Sequence, residues 1–136
     1  MKRFLVYMLP ILLLMSCKKE AGEGGQASIR GKVNTNIRLV LTNPSTFQSS
    51  FPAADQDVFI VYGDNVSPDD RVHTNFDGEF EFQFLREGTY TIYTYSKDTT
   101  GTNGVDPDRM AVVKEVEITD RKAIKDIGTF DIYDTN

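Results

Sequence analysis

The segment from Glu79 to Phe84 alternates strictly between polar and aromatic residues, and this pattern most constrains the fold. A period of two places successive side chains on opposite faces of a β-strand, so one face is predicted to be core and the other wet. The sequences at 75–78 and 86–88 predict a turn on each side of this strand, because glycine permits a positive φ there. The chain is therefore predicted to build its core from antiparallel strands.

Other short runs of β-branched and aromatic residues recur about every ten residues, separated by turn sequences. The segment 43–52 is polar and contains two prolines, which predicts a loop, and 97–109 predicts a second loop. We find no amphipathic helical period. The predicted fold is all-β: a single-domain, seven-stranded antiparallel β-sandwich. Its predicted strands cover 29–33, 37–41, 58–62, 79–84, 89–95, 110–118 and 127–133.

Composition narrows the function. A length of 136 residues allows one domain, and the net charge of −5 argues against nucleic acid, which needs a basic surface. A single cysteine excludes a disulfide framework and a multi-cysteine zinc site. The single histidine, His73, has no second histidine or cysteine with which to form a catalytic or metal centre.

The N-terminus begins with basic residues, and the apolar run 4–15 that follows is too short to cross a bilayer. Leu14, Ser16 and Cys17 resemble a bacterial lipobox, in which the chain is cut before the cysteine and the cysteine is acylated. The only cysteine of the chain stands at the one position that a lipobox requires. The resemblance implies a signal peptide at 1–16 and a covalent lipid on Cys17.

Residues 17–28 are then predicted to form the lipidated cysteine and a flexible tether, with the β-sandwich domain at 29–136. The eleven residues after Cys17 would span roughly 18 Å as a flexible chain. The charged start at 17–20 resembles the export signals of surface lipoproteins in the Bacteroidota. It implies a lipid-anchored protein of the outer membrane, at the cell surface, although the sequence leaves the periplasmic leaflet open.

Three motifs resemble the carboxypeptidase regulatory-like domains. These are transthyretin-like (prealbumin-like) seven-stranded sandwiches, related in pattern to the Cna-B type repeats of surface proteins, so the implied fold is transthyretin-like/Ig-like. The motifs are I-x-G-x-V at 29–33, T-N-x-D-G-x-F at 74–80 and L-x-x-G-x-Y at 85–90. The chain departs from the family by an insertion at 34–53, whose order the sequence leaves open, and by the long loop after Ser96. Family domains are non-catalytic modules, so the resemblance implies binding or scaffolding.

The candidate binding surface is formed by Tyr93 and Tyr95. If Tyr90, Ile92 and Thr94 face the core, these two tyrosines face outward, where tyrosine is favoured at interfaces and on carbohydrate platforms. The alternative is that other parts of the chain cover them. Tyr90 itself is predicted to form a tyrosine corner, a structural hydrogen bond to nearby backbone.

Asp98, Asn103, Asp106 and Asp108 form a candidate calcium loop, because calcium takes hard oxygen ligands from such side chains. Their spacing is not that of an EF-hand, and a terminal bidentate glutamate is missing. A solvated acidic loop explains them equally, so we expect no metal and no cofactor besides the lipid on Cys17.

No catalytic constellation is found, so we predict that the protein is not an enzyme. The predicted function is a non-catalytic accessory or scaffold module that docks onto an envelope protein complex, in particular an outer-membrane barrel. The alternative is a surface module that binds glycans or nutrients through Tyr93, Tyr95 and the long loops. The predicted partners are membrane lipid, through acylated Cys17, and another outer-membrane or surface protein.

Overall fold

The computed structural model describes residues 20–38, 47–97 and 109–135, and in them eight strands form two sheets. This confirms the predicted all-β sandwich. The structure has eight strands where the sequence predicted seven. The first two predicted strands belong to a single strand, and two further short strands were not predicted. The strands are β1 (Glu23–Arg38), β2 (Phe47–Pro52), β3 (Asp57–Tyr62), β4 (Asp70–His73), β5 (Glu79–Leu85), β6 (Gly88–Lys97), β7 (Arg109–Ile118) and β8 (Ile124–Thr135).

In sheet I, β1 is central: β8 pairs with one edge, and β5 and β2 pair with successive parts of the other. Sheet II has the order β4-β3-β6-β7, and all its pairs are antiparallel. The β1–β8 pair is parallel, a departure from the antiparallel prediction. The reason is that β7 ends where β1 begins, as the 2.9 Å bond from Ser28 N–H to Ala123 O shows. The chain therefore turns and enters sheet I in the direction of β1.

The core lies between the two sheets and takes alternate residues from their strands. Tyr90, Ile92 and Thr94 on β6 are each 0% exposed, as the period of two predicts. Gly31 on β1 also faces the core, and an added Cβ would lie 2.8 Å from the ring of Phe80, so no larger residue fits. The largest fully buried side chains include Tyr90, Phe130, Ile29, Ile60, Leu85 and Ile118.

The predicted tether is shorter than the sequence indicated, because residues 23–28 belong to β1. The Tyr90 hydroxyl accepts a hydrogen bond from Gly22 N–H at 3.0 Å and donates to Arg86 O at 2.7 Å, which is the predicted tyrosine corner. Arg86 N–H in turn donates to Gly22 O at 2.8 Å. Backbone pairing, which hydropathy does not reveal, therefore fixes the chain from residue 22 onward.

The insertion 34–53 contributes strands rather than a loop over its described part. Residues 34–38 continue β1, and β2 pairs with them antiparallel, so the loop prediction for 43–52 is wrong for 47–52. Phe51 is 46% exposed, so it does not anchor this segment in the core. Pairing of its backbone with β1 forms β2. Because the segment is largely polar, the sequence pattern did not predict a strand there.

The alternation of β5 breaks at Phe84. Phe80 and Phe82 are buried as predicted, but Phe84 has a φ of 59° and is 68% exposed. The pairing of β5 with β1 shifts register opposite Leu85, which points into the core in place of Phe84. A bulge of this kind re-aims side chains, and the sequence pattern does not show it.

The predicted turn before β5 is confirmed. Asn75 Oδ1 accepts hydrogen bonds from the N–H groups of Asp77 and Glu79, both at 2.9 Å. Gly78 has a φ of 72°, and a Cβ there would meet Val33 O at 2.4 Å. Local chemistry alone specifies this turn.

Lys114 links the two sheets at the side where their edge strands β7 and β8 face each other. It points inward from β7, and its ammonium donates to Ile127 O at 2.7 Å and to Thr129 O at 2.8 Å on β8. The same group lies 4.7 Å from the centroid of the Phe130 ring. Inward-pointing charge is one way in which proteins protect an edge strand from pairing with another chain.

We expect Tyr90→Phe to lower the free energy of unfolding by about 1–3 kcal/mol, because it leaves buried backbone groups of Gly22 and Arg86 without a partner. Urea denaturation measures the change. Tyr62→Phe is the matched control, since that hydroxyl makes only an exposed 3.5 Å contact with Glu23, and we expect a smaller loss. Equal stabilities of the two variants would contradict the assigned role of Tyr90.

We expect Lys114→Met to lower the free energy of unfolding by about 1–3 kcal/mol, the usual range for hydrogen bonds from a charged group. It also leaves the β8 carbonyls uncapped, so we expect faster aggregation on heating. Both are measured by thermal unfolding with light scattering. Glu115→Gln, at an exposed neighbouring position of the same strand, is the control.

Candidate functional site

The outer face of sheet II carries a row of side chains in register across all four strands. Arg71 on β4 pairs with Phe59 on β3, Phe59 with Tyr93 on β6, and Tyr93 with Val113 on β7. Directly opposite residues of antiparallel strands project from the same face, so these four form one continuous surface. Tyr95 lies on the same face, two residues along β6.

Three of these side chains form an aromatic cluster. Phe59 stacks on Tyr93 with ring centroids 5.1 Å apart and planes at 15°. Tyr95 packs edge-on against both, with centroids 5.8 Å from Phe59 and 5.6 Å from Tyr93. We call Phe59, Tyr93, Tyr95 and Val113 the aromatic patch. Such offset and edge-on contacts hold the rings in fixed positions, so the patch is preorganised.

The aromatic patch is open to solvent. Val113 is 51% exposed and Tyr95 is 39% exposed, while Phe59 and Tyr93 are half-buried by their neighbours. Arg71 borders the patch and reaches Asp57 Oδ1 at 3.5 Å. An apolar centre with a charged border is the usual anatomy of a protein interface, and tyrosine and arginine are enriched there.

Burial, and secondarily the neighbouring Tyr95, raise the pKa of the Tyr93 hydroxyl above its ordinary value. Tyrosine normally ionises near pH 10, so this side chain is neutral at physiological pH. A neutral hydroxyl can both donate and accept a hydrogen bond. The patch therefore offers a ligand polar contacts without a formal charge at its centre.

A cleft of about 300 Å³ adjoins the aromatic patch at Tyr95, where β6 ends and β7 begins. Lys97 and Asp134 form an ion pair across the two sheets at this end. The cleft combines an aromatic ring with carboxylate, amide and cationic groups. Its polar lining includes Gln56, Asp57, Lys97, Arg109 and Asp134.

Asp57 presents an unusual acceptor in this cleft. Its Oδ1 atom is buried and accepts no hydrogen bond from the described residues. Arg71 Nη1 and His73 Nδ1 lie 3.5 Å and 3.4 Å from it, within ion-pair range but without hydrogen-bond geometry. His73 Nδ1 is also 3.4 Å from Asp55 Oδ1. Arg71 and His73 thus cover this carboxylate oxygen at the border of the cleft.

The outer face of sheet I has a different character, because charged pairs cover it. Lys32 Nζ lies 2.8 Å from Glu79 Oε1, and Arg30 Nε lies 3.5 Å from Asp126 Oδ2. Hydrogen bonding to Lys32 lowers the pKa of the Glu79 carboxyl, and bonding to Glu79 raises the pKa of Lys32. Solvated pairs of this kind leave little apolar surface for a partner.

The structure brings the two predicted tyrosines together on one exposed face. The sequence did not identify Phe59, on which Tyr93 stacks, or Val113 as part of this surface. The alternation within 57–62 places Phe59 on one strand face, but only the strand pairing shows that this face carries the two tyrosines. The other predicted sites lie outside the described residues. These are the lipobox residues Leu14 and Ser16, the lipidation site Cys17, and the calcium loop residues Asp98, Asn103, Asp106 and Asp108.

Among residues 20–38, 47–97 and 109–135, no group of three or more His, Cys, Asp or Glu side chains is placed to hold a metal ion. The same residues include no helix with the length and apolar character needed to cross a membrane.

Comparison with known proteins finds no matching family model and no matching curated protein. Among solved structures, the chain is similar to the crystal structure of a "putative carbohydrate binding protein" from Pseudomonas aeruginosa. The two share 12% identity with a TM-score of 0.44, over 85% of this chain and 92% of that one. A likeness at this level concerns the course of the backbone and gives no indication of a ligand.

We expect Tyr93 to ionise above pH 10, because burial disfavours the charged phenolate. The measurement is the ultraviolet absorbance of tyrosinate, titrated in the wild type and in Tyr93→Phe. Their difference should show one hydroxyl with a raised pKa in the folded protein and an ordinary one in urea. Because the folded pKa is the higher, the stabilisation linked to Tyr93 is full below about pH 10 and is lost as pH rises through the folded pKa. An identical difference curve in both conditions would contradict burial of the hydroxyl.

Proposed function

We propose that the protein is a lipid-anchored lipoprotein of the outer membrane. Its β-sandwich acts as a non-enzymatic accessory module that docks onto a second envelope protein through the aromatic patch. The observation that carries the proposal is the preorganised, solvent-exposed cluster of Phe59, Tyr93 and Tyr95 on an outer sheet face.

Three features support docking to a protein. Exposed aromatic groups with a charged border are typical of interaction surfaces, whereas scattered apolar residues are not. The stacked rings lose little conformational entropy on binding because their positions are already fixed. The opposite outer face, with its ion pairs at Lys32 and Arg30, offers no comparable surface.

The lipobox-like sequence around Cys17 supports attachment to the membrane. Two or three acyl chains on one cysteine provide stable anchoring, since each buried methylene contributes about 0.8 kcal/mol. The resemblance to carboxypeptidase regulatory-like domains agrees with a binding role, since those domains are non-catalytic. The partner in our proposal is an outer-membrane barrel or another surface protein.

The test is affinity purification of the tagged, acylated protein from gently solubilised membranes, followed by mass spectrometry. We expect stoichiometric recovery of one outer-membrane protein. Val113→Asp places a charge at the exposed β7 side of the aromatic patch, and we expect at least a tenfold loss of that partner. Cys17→Ala should release the protein from the membrane.

Thr129→Asp is the matched control, because it adds the same charge at an exposed position on the outer face of sheet I. It should retain the partner. Equal recovery with both aspartate variants would exclude the aromatic patch as the docking surface, and recovery of the protein alone would exclude the accessory role.

A second candidate function is binding of a glycan in the cleft beside Tyr95. The observation that favours it is the ring of Tyr95, on which a sugar could stack, in one cleft with the polar side chains of Gln56 and Arg109. Polar groups placed around an apolar surface are typical of small-ligand sites.

A glycan array probed with the Cys17→Ala protein tests this alternative. Tyr95→Ala should abolish any binding, since it removes the ring that lines the cleft. Val113→Asp should leave glycan binding intact, because Val113 does not line the cleft. An array without bound glycan would reject this second function.

A further inference from the structure

Phe84 has no role in the core or in the aromatic patch. Its φ of 59° is rare for a bulky residue, and its ring is 68% exposed. The positive φ lets Leu85 point into the core, but it does not require an aromatic side chain, because glycine adopts such a φ at lower cost. An exposed aromatic side chain in this conformation therefore points to a function. Phe84 lies near the end of β5, two residues from Arg86.

The chain leaves the sandwich at the same place. Arg86 N–H donates to Gly22 O at 2.8 Å, and Phe84 is only two residues before Arg86. Phe84 and Gly22 therefore lie at the same end of the sandwich. In addition, an alanine-like Cβ on Gly88 would lie 2.8 Å from Ala21, so Ala21 packs directly on the start of β6. We call this end of the sandwich the base.

Covalent length then limits how far the base can stand from a lipid on Cys17. Ala21 follows Cys17 by four residue steps. An extended chain spans at most about 3.3–3.6 Å per step, or about 14 Å in all. This is shorter than the tether that the sequence indicated. The polar headgroup layer itself occupies several ångströms of this distance, so the base must lie against or close to it.

The base has a different composition on its two sides. On the sheet I side, Arg86 and Arg121 line one cleft with Glu20 and Glu87, and Lys122 lines a second cleft with Asp120. Exposed apolar side chains on this sheet are Phe84 and Ile124, the latter 64% exposed. On the sheet II side, the turn between β3 and β4 is acidic. Its carboxylates are those of Asp64, Asp69 and Asp70.

We propose that the sheet I corner of the base is a membrane-contact surface. Phe84 lies in the headgroup layer, and Arg86, Arg121 and Lys122 contact lipid phosphates, while the acidic turn tilts away. This inference rests on the proposed lipid attachment at Cys17. Cations beside lipid phosphates and aromatic rings at headgroup depth are both favoured at a membrane surface.

This orientation has a consequence for the aromatic patch. Tyr95 is seven residues along β6 from Gly88 at the base, which corresponds to about 23 Å at the strand rise. In this orientation the aromatic patch and its cleft lie beyond the headgroup layer. There they can contact the part of a partner protein that projects from the membrane.

The experiment uses the acylated full chain in vesicles of phosphatidylethanolamine and phosphatidylglycerol that contain a lipid with a quencher on its headgroup. The acylated cysteine has no free thiol, so one introduced cysteine can carry a fluorophore. Thr119→Cys labels the base, and Ser50→Cys labels the far end. We expect several-fold stronger quenching at the base label.

Phe84→Ser should lower the quenching of the base label, whereas Phe76→Ser should not. Phe76 is the matched control, because it is 93% exposed in the turn at the opposite end. Inserting ten Gly/Ser residues between Lys19 and Glu20 should also lower the quenching. Equal quenching of the two labels, or equal effects of the two serine variants, would overturn the membrane-contact proposal.

Flotation with the same vesicles separates the two hypotheses. If the wild type fails to float and behaves like Cys17→Ala, lipid anchoring itself is wrong. If the wild type floats but the labels are quenched equally, anchoring stands and the orientation is wrong.

Discussion

The tyrosine corner at Tyr90 is the interaction on which much of the structure depends. One buried hydroxyl accepts from Gly22 N–H and donates to Arg86 O, and so joins the start of β1 to the turn between β5 and β6. It converts a stretch rich in glycine into the first strand of sheet I. Because that point is fixed, the covalent length of the chain between Cys17 and the folded domain has an upper limit.

The two outer faces differ because strand pairing brings together different residue types. On sheet I, opposite charges meet as Lys32 and Glu79, and water covers the pair. On sheet II, Phe59 meets Tyr93 directly across the pair β3–β6. An aromatic cross-strand pair is stabilising in itself, yet it leaves apolar surface exposed, and contiguous exposed apolar surface is typical of interaction sites.

The two proposals fit one geometry. In the proposed arrangement, the short connection at the base holds the sheet I corner against the membrane. Tyr95, seven residues along β6 from Gly88, lies towards the other end of the sandwich. The open side of the sandwich is protected by Lys114, whose ammonium caps Ile127 O and Thr129 O on β8. Self-association through that edge is thereby disfavoured, which leaves the aromatic patch as the prominent interaction surface.

The sequence by itself determined the features that depend on local chemistry. The period of two specified the all-β class and the inward set Tyr90, Ile92 and Thr94, and Asn75 with Gly78 specified a turn. Tyr93 and Tyr95 could be placed on an outer face for the same reason. The tertiary structure decided what depends on pairing between distant segments: the strands at 23–28 and 47–52, the parallel β8, the bulge that turns Phe84 outward, and Phe59 as the partner of Tyr93. Backbone hydrogen bonds and cross-strand register leave no periodic trace in a single sequence, so these features could be found only from the fold.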